Sequence, residues 1–314
     1  MTNVELINKF SDNAVVLPDT KKYAAILGLN PSSGARSPKL WNAAFKKFSV
    51  DCEMIAIDVS KNNLNKLLEA LESDMNFIGG AIAAPHKESA AKFCGKNLTF
   101  EAKNIGSINC FYRNLGGSLC GTNTDGEGSL RAFESSFGAV SSQNILIMGA
   151  GGTGKAVAAY FVSSAKNVKQ VSIISRSDSA LGVSKRLNCE GLHWSSIDNI
   201  VSDFDIIINC TSLGSTLYPN LSPLSKSQLA KLRQTTVIYD VVYDPDPTQL
   251  QILSSGHDLQ ALNGKSMNFE QAVLGFHYAC SYLIDDLSVS NICLLYTSDA
   301  ADDLLCVDLG GRRI

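Results

Sequence analysis

One stretch restricts this chain's fold more than any other: Ile145–Tyr160, ILIMGAGGTGKAVAAY. Ile145 to Met148 form an apolar run of the kind that fills a buried parallel strand. The chain then breaks into GAGGTG, and small residues follow at helical spacing. Gly149, Gly151 and Gly154 thus fit G-x-G-x-x-G between a strand and a helix, the context that pattern requires. Such a turn bends sharply, admits a pyrophosphate close to the backbone and packs helix against strand. The unpaired N–H groups of the first helical turn then meet the negative charge. Gly149, Ala150, Gly151, Gly152 and Thr153 are therefore candidate cofactor contacts; a Gly-rich turn without a ligand is the plain alternative. Gly149, Gly154 and Lys155 also come near the phosphate loop G-x-x-x-x-G-K. That loop needs a Ser or Thr next to hold magnesium, and here the residue is Ala156, so a dinucleotide is the better fit.

The next apolar run, Val171–Ile174, ends in Ser175-Arg176-Ser177, where an NAD enzyme usually places Asp or Glu for the ribose hydroxyls. A carboxylate there would repel a 2′-phosphate, whereas an Arg flanked by hydroxyls attracts it. Ser175, Arg176 and Ser177 therefore point to NADP. Asp178 is one complication for this assignment, though an Asp just before a helix is also an ordinary N-cap.

The rest of the chain supports a two-domain α/β protein. Its 314 residues, 45% hydrophobic and 18% charged, suffice for two cores. A net charge of −3 without a basic block argues against nucleic acid or an anionic membrane as partner. The start, MTNVELINKFSDNAVV, lacks the basic and apolar halves of a leader, and no run approaches a membrane span. Nine cysteines, scattered and without a C-x-x-C pair, suggest reduced thiols in a cytoplasm. His193, His257 and His277 have no ligand-like spacing, so no metal is expected.

In chain order, a polar lead-in precedes a strand at Tyr23–Leu27 and the loop GLNPSSGARSP. Pro38 then opens a helix with Leu40, Trp41, Ala44 and Phe45 on its apolar face. Strands are expected at Met54–Ile57 and Phe77–Ala84, with helices at Leu64–Leu71 and after Pro85-His86-Lys87. Ile108–Tyr112 and Ser118–Gly121 read as a hairpin around Leu115-Gly116-Gly117. Thr124-Asp125-Gly126 opens a helix into a Rossmann-like half, with further strands at Asp205–Asn209, Val237–Val241 and Leu259–Leu262. From Ser266 a long helical segment carries Phe269, Ala272, Val273, Phe276, Ala279 and Leu283 inward. The expected architecture is an N-terminal three-layer α/β substrate domain plus a Rossmann-like NADP-binding domain. The first would span 1–124, completed by a C-terminal helix over 265–292, and the second 125–264. The last 22 residues, CLLYTSDAADDLLCVDLGGRRI, look like a translation of the synthetic adapter DNA of sequencing libraries. They are set aside as a non-native tail over 293–314, the gene fragment being expected to end near Ile292.

In such enzymes substrate binds near the carboxyl ends of the strands, beside the nicotinamide. Lys87 follows the third strand, and Asp125 lies at the crossing into the second half. A Lys and an Asp within reach of one hydroxyl could move its proton while hydride leaves the carbon. Taken singly, a solvated Lys and a helix-capping Asp are the ordinary alternatives.

From Tyr23 to Ile292 the order and spacing of motifs resemble the shikimate dehydrogenase family. Asn30-Pro31 followed by Ser37-Pro38 resembles its N-terminal serine loop, and Pro85-His86-Lys87 its P-x-K motif. Gly106-Ser107-Ile108-Asn109 resembles its G-A-V-N, and Asn123-Thr124-Asp125-Gly126 its N-T-D-G. The GAGG turn with Ser-Arg-Ser is similar to its NADP site, and Ile208-Asn209-Cys210-Thr211-Ser212 to its I-N-A-T-S. Tyr239-Asp240-Val241-Val242-Tyr243 matches Y-D-x-x-Y, and Gly264 with Gln271-Ala272 the closing G…Q-A. The resemblance implies that Lys87 and Asp125 are the catalytic pair. It implies that Ser37, Asn109, Tyr243 and Gln271 bind substrate, and that Gly264 joins the glycine turn and Arg176 at the cofactor. It further implies NADP-dependent interconversion of 3-dehydroshikimate and shikimate, a step toward chorismate and the aromatic amino acids, by a monomer or homodimer.

The departures lie on the substrate side. The family's first carboxylate-binding Ser falls on Ala35, its Asn and Thr before P-x-K fall on Ala81 and Ala83, and a usual His is Trp41. Each lost side-chain hydrogen bond is worth about 0.5–1.5 kcal/mol. Either a neighbour such as Arg36 restores the carboxylate contact, or the substrate is quinate, an amino analogue or another ring carboxylate. A non-catalytic sensor of a ring carboxylate is the rival outside the enzymes, and the retained Lys87 and Asp125 speak against it. His86 either tunes Lys87 or is a neutral helix-start residue; Trp41 either floors the pocket or fills the core.

Overall fold

The strand–helix alternation is realised in a computed structural model that describes residues 2–163 and 168–284. The segment set aside as a tail, 293–314, lies outside the described residues, as do the last residues before it. The chain separates into two compact units, one built from residues up to Thr124 and again from Ala272, the other from Asp125–Gln271.

In the first unit the strands are β1 (Lys22–Gly28), β2 (Cys52–Asp58), β3 (Phe77–Ile82), β4 (Cys110–Arg113) and β5 (Leu119–Thr122). They form one sheet in the order β2-β1-β3-β4-β5. β2, β1 and β3 run parallel, and the β4–β5 hairpin pairs antiparallel onto β3, with Gly80 opposite Phe111. The helices are α1 (Asn3–Phe10), α2 (Ser37–Lys47), α3 (Leu64–Ser73), α4 (Lys87–Cys94) and α5 (Phe100–Ile105). α1 replaces the expected polar lead-in; Thr2 and Glu5 close a capping box at its start, and Ile7 is buried. Tyr23, Ala25 and Leu27 of β1 share a core with Ile7, Leu64, Leu67, Leu71 and Ala90.

In the second unit α6 (Asp125–Phe137) leads into six parallel strands: β6 (Asn144–Met148), β7 (Gln170–Ser175), β8 (Glu190–His193), β9 (Ile206–Asn209), β10 (Val237–Asp240) and β11 (Gln260–Leu262). Their order, β11-β10-β9-β6-β7-β8, is that of a doubly wound dinucleotide fold, reversing direction between β6 and β9. α7 (Gly152–Ser163) and α8 (Ser179–Leu187) are followed by the short α9 (Ile197–Ile200) and α10 (Lys226–Leu229), then α11 (Gln249–Ser255) and the start of α12 (Lys265–Cys280), whose residues from Ala272 on belong to the first unit. β8 had no sequence signal: it is a four-residue edge strand, half exposed, with no apolar run. Continuous apolar runs in β6 and β9 match burial on both sheet faces, where Ile145, Ile147 and Phe161 meet one core and Leu146, Met148 and Ile207 another. Among the described residues, no helix is long and apolar enough to cross a membrane.

Candidate active site

The reversal point of the six-stranded sheet falls where the glycine turn leaves β6. Gly149 has φ +103°, and a Cβ on Gly154 would lie 1.9 Å from the Gly149 carbonyl oxygen, so only glycine permits this bend and this helix–strand approach. At Gly151 a Cβ would meet nothing within 4 Å. The three positions thus provide a tight turn, a close packing contact and open space over the first turn of α7, which suits a pyrophosphate.

A buried polar network holds the loop after β9 across this turn. Asn209 donates from Nδ2 to Asp240 Oδ1 at 2.9 Å and to the Leu213 carbonyl at 3.2 Å, and its Oδ1 accepts from the Thr211 N–H and hydroxyl. Asp240 also accepts from the Thr248 hydroxyl at 2.6 Å and from the Val242 N–H. Burial pushes the Asp240 carboxyl up to about 6, against the lowering effect of these donors. The Cys210 thiol beside the turn is pushed up by burial and by the charges of Asp240 and Asp125. Sequence patterning did not assign this network, because its members come from β9, β10 and the start of α11.

Asp125, buried at the first residue of α6, lies beside the same turn, with the Thr153 hydroxyl 3.5 Å from its Oδ2. The two residues that follow at alternate positions explain the approach. A Cβ on Gly126 would fall 2.3 Å from the Ala156 carbonyl oxygen, and one on Gly128 would fall 2.8 Å from the Gln271 nitrogen. Gln271, half-buried on α12, donates to the Asn268 carbonyl at 2.9 Å. Tyr243 is half-buried past the end of β10, and Gly264 is buried against the Val241 carbonyl.

At the end of β7 the expected helix cap is supplied by a different residue. Asp178 precedes α8 but has φ −65° and ψ 2° rather than an extended cap conformation, and makes no capping bond. The buried Ser175 instead accepts the Ala180 N–H at 3.1 Å and donates to the Ser177 carbonyl at 2.5 Å. Ser175 is thereby committed to shaping the turn, while Arg176 and Ser177 stay exposed.

In the first unit the reversal lies between β1 and β3, and both candidate substrate loops leave there. The Ala83 N–H donates to the Leu27 carbonyl at 2.8 Å, extending β3 past its last paired residue as far as the turn at Pro85. Ala35, Arg36 and Ser37 are half-buried at the entry to α2. Ser32 donates from its N–H, at 2.8 Å, and from its hydroxyl to the buried Asp58, which fixes the loop to the end of β2. Lys87 is the first residue of α4, half-buried, and its carbonyl accepts the Ile108 N–H at 3.0 Å. The next residue, Asn109, is buried between strands. Its Oδ1 accepts the Thr124 N–H at 2.8 Å, and its Nδ2 donates to the Thr124 hydroxyl at 2.9 Å. His86 is fully buried, and its Nε2 donates to the Val59 carbonyl at 2.7 Å, pinning the turn that carries Lys87. Trp41 belongs to the core: it is 1% exposed and meets Phe45 and Phe276 edge-on.

Residues 27–111 match the family model of the shikimate dehydrogenase substrate binding domain, and residues 131–242 that of shikimate / quinate 5-dehydrogenase. The shikimate dehydrogenase (NADP(+)) of Pyrococcus furiosus is 35% identical over 261 residues, which cover 82% of this chain and 89% of the relative. The chain belongs to the shikimate dehydrogenase family. Solved structures of similar fold include shikimate 5-dehydrogenase of Listeria monocytogenes in complex with shikimate and NAD, with a TM-score of 0.74, 24% identity, and coverage of 90% of this chain and 99% of that one. They also include quinate dehydrogenase of Corynebacterium glutamicum in complex with NAD, with a TM-score of 0.73, 22% identity, and coverage of 88% and 99%. Enzymes named for either substrate thus share this fold, and the fold alone does not choose between them. Among the described residues no three His, Cys, Asp or Glu side chains are grouped so as to hold a metal ion.

Proposed function

We propose that the protein catalyses NADP-dependent interconversion of 3-dehydroshikimate and shikimate, on the path to chorismate and the aromatic amino acids. The observation that carries this is membership of the family; the reading is supported by the motif matches at Lys87 and Asp125, each the first residue of a helix. The unit holding β1–β5 takes the substrate, and the unit holding the glycine turn takes the dinucleotide. When bound, NADPH supplies the hydride. Lys87 and Asp125 hold and move the proton of the substrate hydroxyl. Ser37, Asn109, Tyr243 and Gln271 orient the ring and its carboxylate. The N–H groups of Gly149 to Thr153 hold the pyrophosphate, with Gly264 nearby on the cofactor side. The guanidinium of Arg176, with Ser177, takes the 2′-phosphate. The unpaired cysteines of the described residues support a reducing cytoplasm as the place of action, and the protein acts there as a monomer or homodimer.

A second reading is favoured by Ala35, Ala81 and Ala83, where hydroxyl or amide side chains are expected: a paralogue for quinate or a modified shikimate. Initial rates of NADP⁺ reduction with shikimate and quinate in parallel test both. Rapid turnover with shikimate supports the first reading. Turnover with quinate alone supports the second, and none with either, while NADPH still binds, moves the substrate to another ring carboxylate.

A further inference from the structure

We infer that His193 is a positioning residue for cofactor selection: it holds the Arg176 turn in the shape that receives a 2′-phosphate. The inference rests on the NADP assignment above. β7 and β8 run parallel with Ser175 opposite His193, so the two chains leave the sheet side by side. There the His193 ring bridges them. Its Nε2 lies 3.1 Å from the Arg176 carbonyl oxygen, and its Nδ1 lies 3.3 Å from the Ser195 nitrogen and 2.8 Å from the Ser195 hydroxyl. A carbonyl oxygen has no hydrogen, so Nε2 is the donor. A backbone N–H can only donate, so Nδ1 is the acceptor. One tautomer satisfies both ends.

The consequence falls on Arg176. Its own carbonyl is held by His193, and the next carbonyl, of Ser177, is held by the Ser175 hydroxyl at 2.5 Å. The two successive peptide units after Arg176 are therefore each anchored through their carbonyl oxygen, and the direction in which the exposed Arg176 side chain leaves the backbone is set with them. Bidentate capture of a phosphate monoester depends on that direction, because the guanidinium is a flat fork with fixed donor geometry. His193 thus acts on the 2′-phosphate through Arg176.

Calorimetric titration of the full chain with 2′,5′-ADP and with 5′-AMP isolates the effect, since the two probes differ only in the 2′-phosphate. Wild type is expected to prefer 2′,5′-ADP. His193→Asn keeps an acceptor at the Nδ1 level for Ser195 but is too short to reach Arg176. It should reduce that preference by about 3–10-fold, the worth of one hydrogen bond, leaving 5′-AMP affinity and Tm unchanged. His193→Gln places an amide N–H at the Nε2 level and should restore most of the preference. An unchanged preference in His193→Asn, an equal loss for both probes, or failure of Gln to rescue, which would mark a direct charge effect, overturns the inference. A wild-type chain without preference overturns the NADP assignment, and the inference with it.

Discussion

The two sheets carry their candidate ligand loops at the same place, the reversal of strand order, but build them on opposite plans. At the six-stranded sheet the proposed ligand surface is backbone: Gly149, Gly151 and Gly154 are defined by how little room or how much space surrounds them. At the five-stranded sheet it depends on side chains, and there Ala35, Ala81 and Ala83 stand where polar groups are expected. A backbone site tolerates almost no change in its glycines, whereas a side-chain site can be retuned one residue at a time. The difference makes the proposed cofactor contacts and the proposed substrate contacts separate targets for substitution.

The sharpest break is expected at Lys87. Lys87→Ala should lower kcat by roughly 10²–10⁴-fold, the usual contribution of a general acid–base group. NADPH affinity, read by fluorescence, should hold, because its proposed contacts are the glycine turn and Arg176. A variant that turns over normally would return Lys87 to a solvated helix-start residue.

Beneath the backbone site, Asp240 offers a test by pH. Its folded-state value of about 6 lies above the ordinary 3.8, so protonation favours the folded state. That contribution is full below about pH 3.8 and is lost as the pH rises through about 6, a change on the order of 3 kcal/mol. Urea midpoints measured from pH 4.5 to 7 should fall with rising pH in wild type, relative to Asp240→Asn, in which this component is absent. Parallel pH curves for the two proteins would show that the Thr248, Asn209 and Val242 donors fully offset burial.

The glycines can be set against one another. In Gly154→Ala the new methyl meets a backbone oxygen, so stability should drop by about 1–3 kcal/mol and NADPH binding should be lost with it. In Gly151→Ala the methyl enters open space. Stability should then be unchanged, while NADPH binding falls because the methyl occupies the room the pyrophosphate needs. Equal thermal losses in both variants would contradict this division.

These contrasts also explain what was legible in the sequence. The β6 run, the glycine turn and Ser-Arg-Ser are contiguous, and each short stretch carries its own geometry, so the Rossmann-like unit could be read directly. The links that hold the loops in both units are not contiguous. Asn209–Asp240 joins the ends of two strands, Ser32–Asp58 ties a loop to a neighbouring strand, and His193–Arg176 bridges β8 to β7. No local pattern marks them. α1 is a different case: Thr2-Asn3-Val4-Glu5 is a capping box that does signal a helix start, in a segment whose polarity hid it. At β7, position within the sequence suggested Asp178 as the cap, but the backbone angle gave that role to Ser175.

The smallest effect bears on the least legible question, the substrate. Ser37 is the proposed carboxylate contact and Ala35 stands where a second Ser is expected, with Arg36 half-buried between them at the entry to α2. Restoring one hydroxyl to a ring carboxylate is worth about 0.5–1.5 kcal/mol, so Ala35→Ser is expected to lower the KM for shikimate by roughly 2–10-fold with kcat unchanged. If Arg36 already supplies the carboxylate contact, Arg36→Ala should raise that KM and Ala35→Ser should add little, because the acceptor is taken. If the pocket serves another ring, Ala35→Ser improves shikimate while Arg36→Ala leaves it unaltered. Steady-state rates of the two variants and their double mutant separate these cases. A double mutant whose effects add would show that Ser at 35 and Arg36 act independently; a shortfall from additivity would show that they compete for one carboxylate.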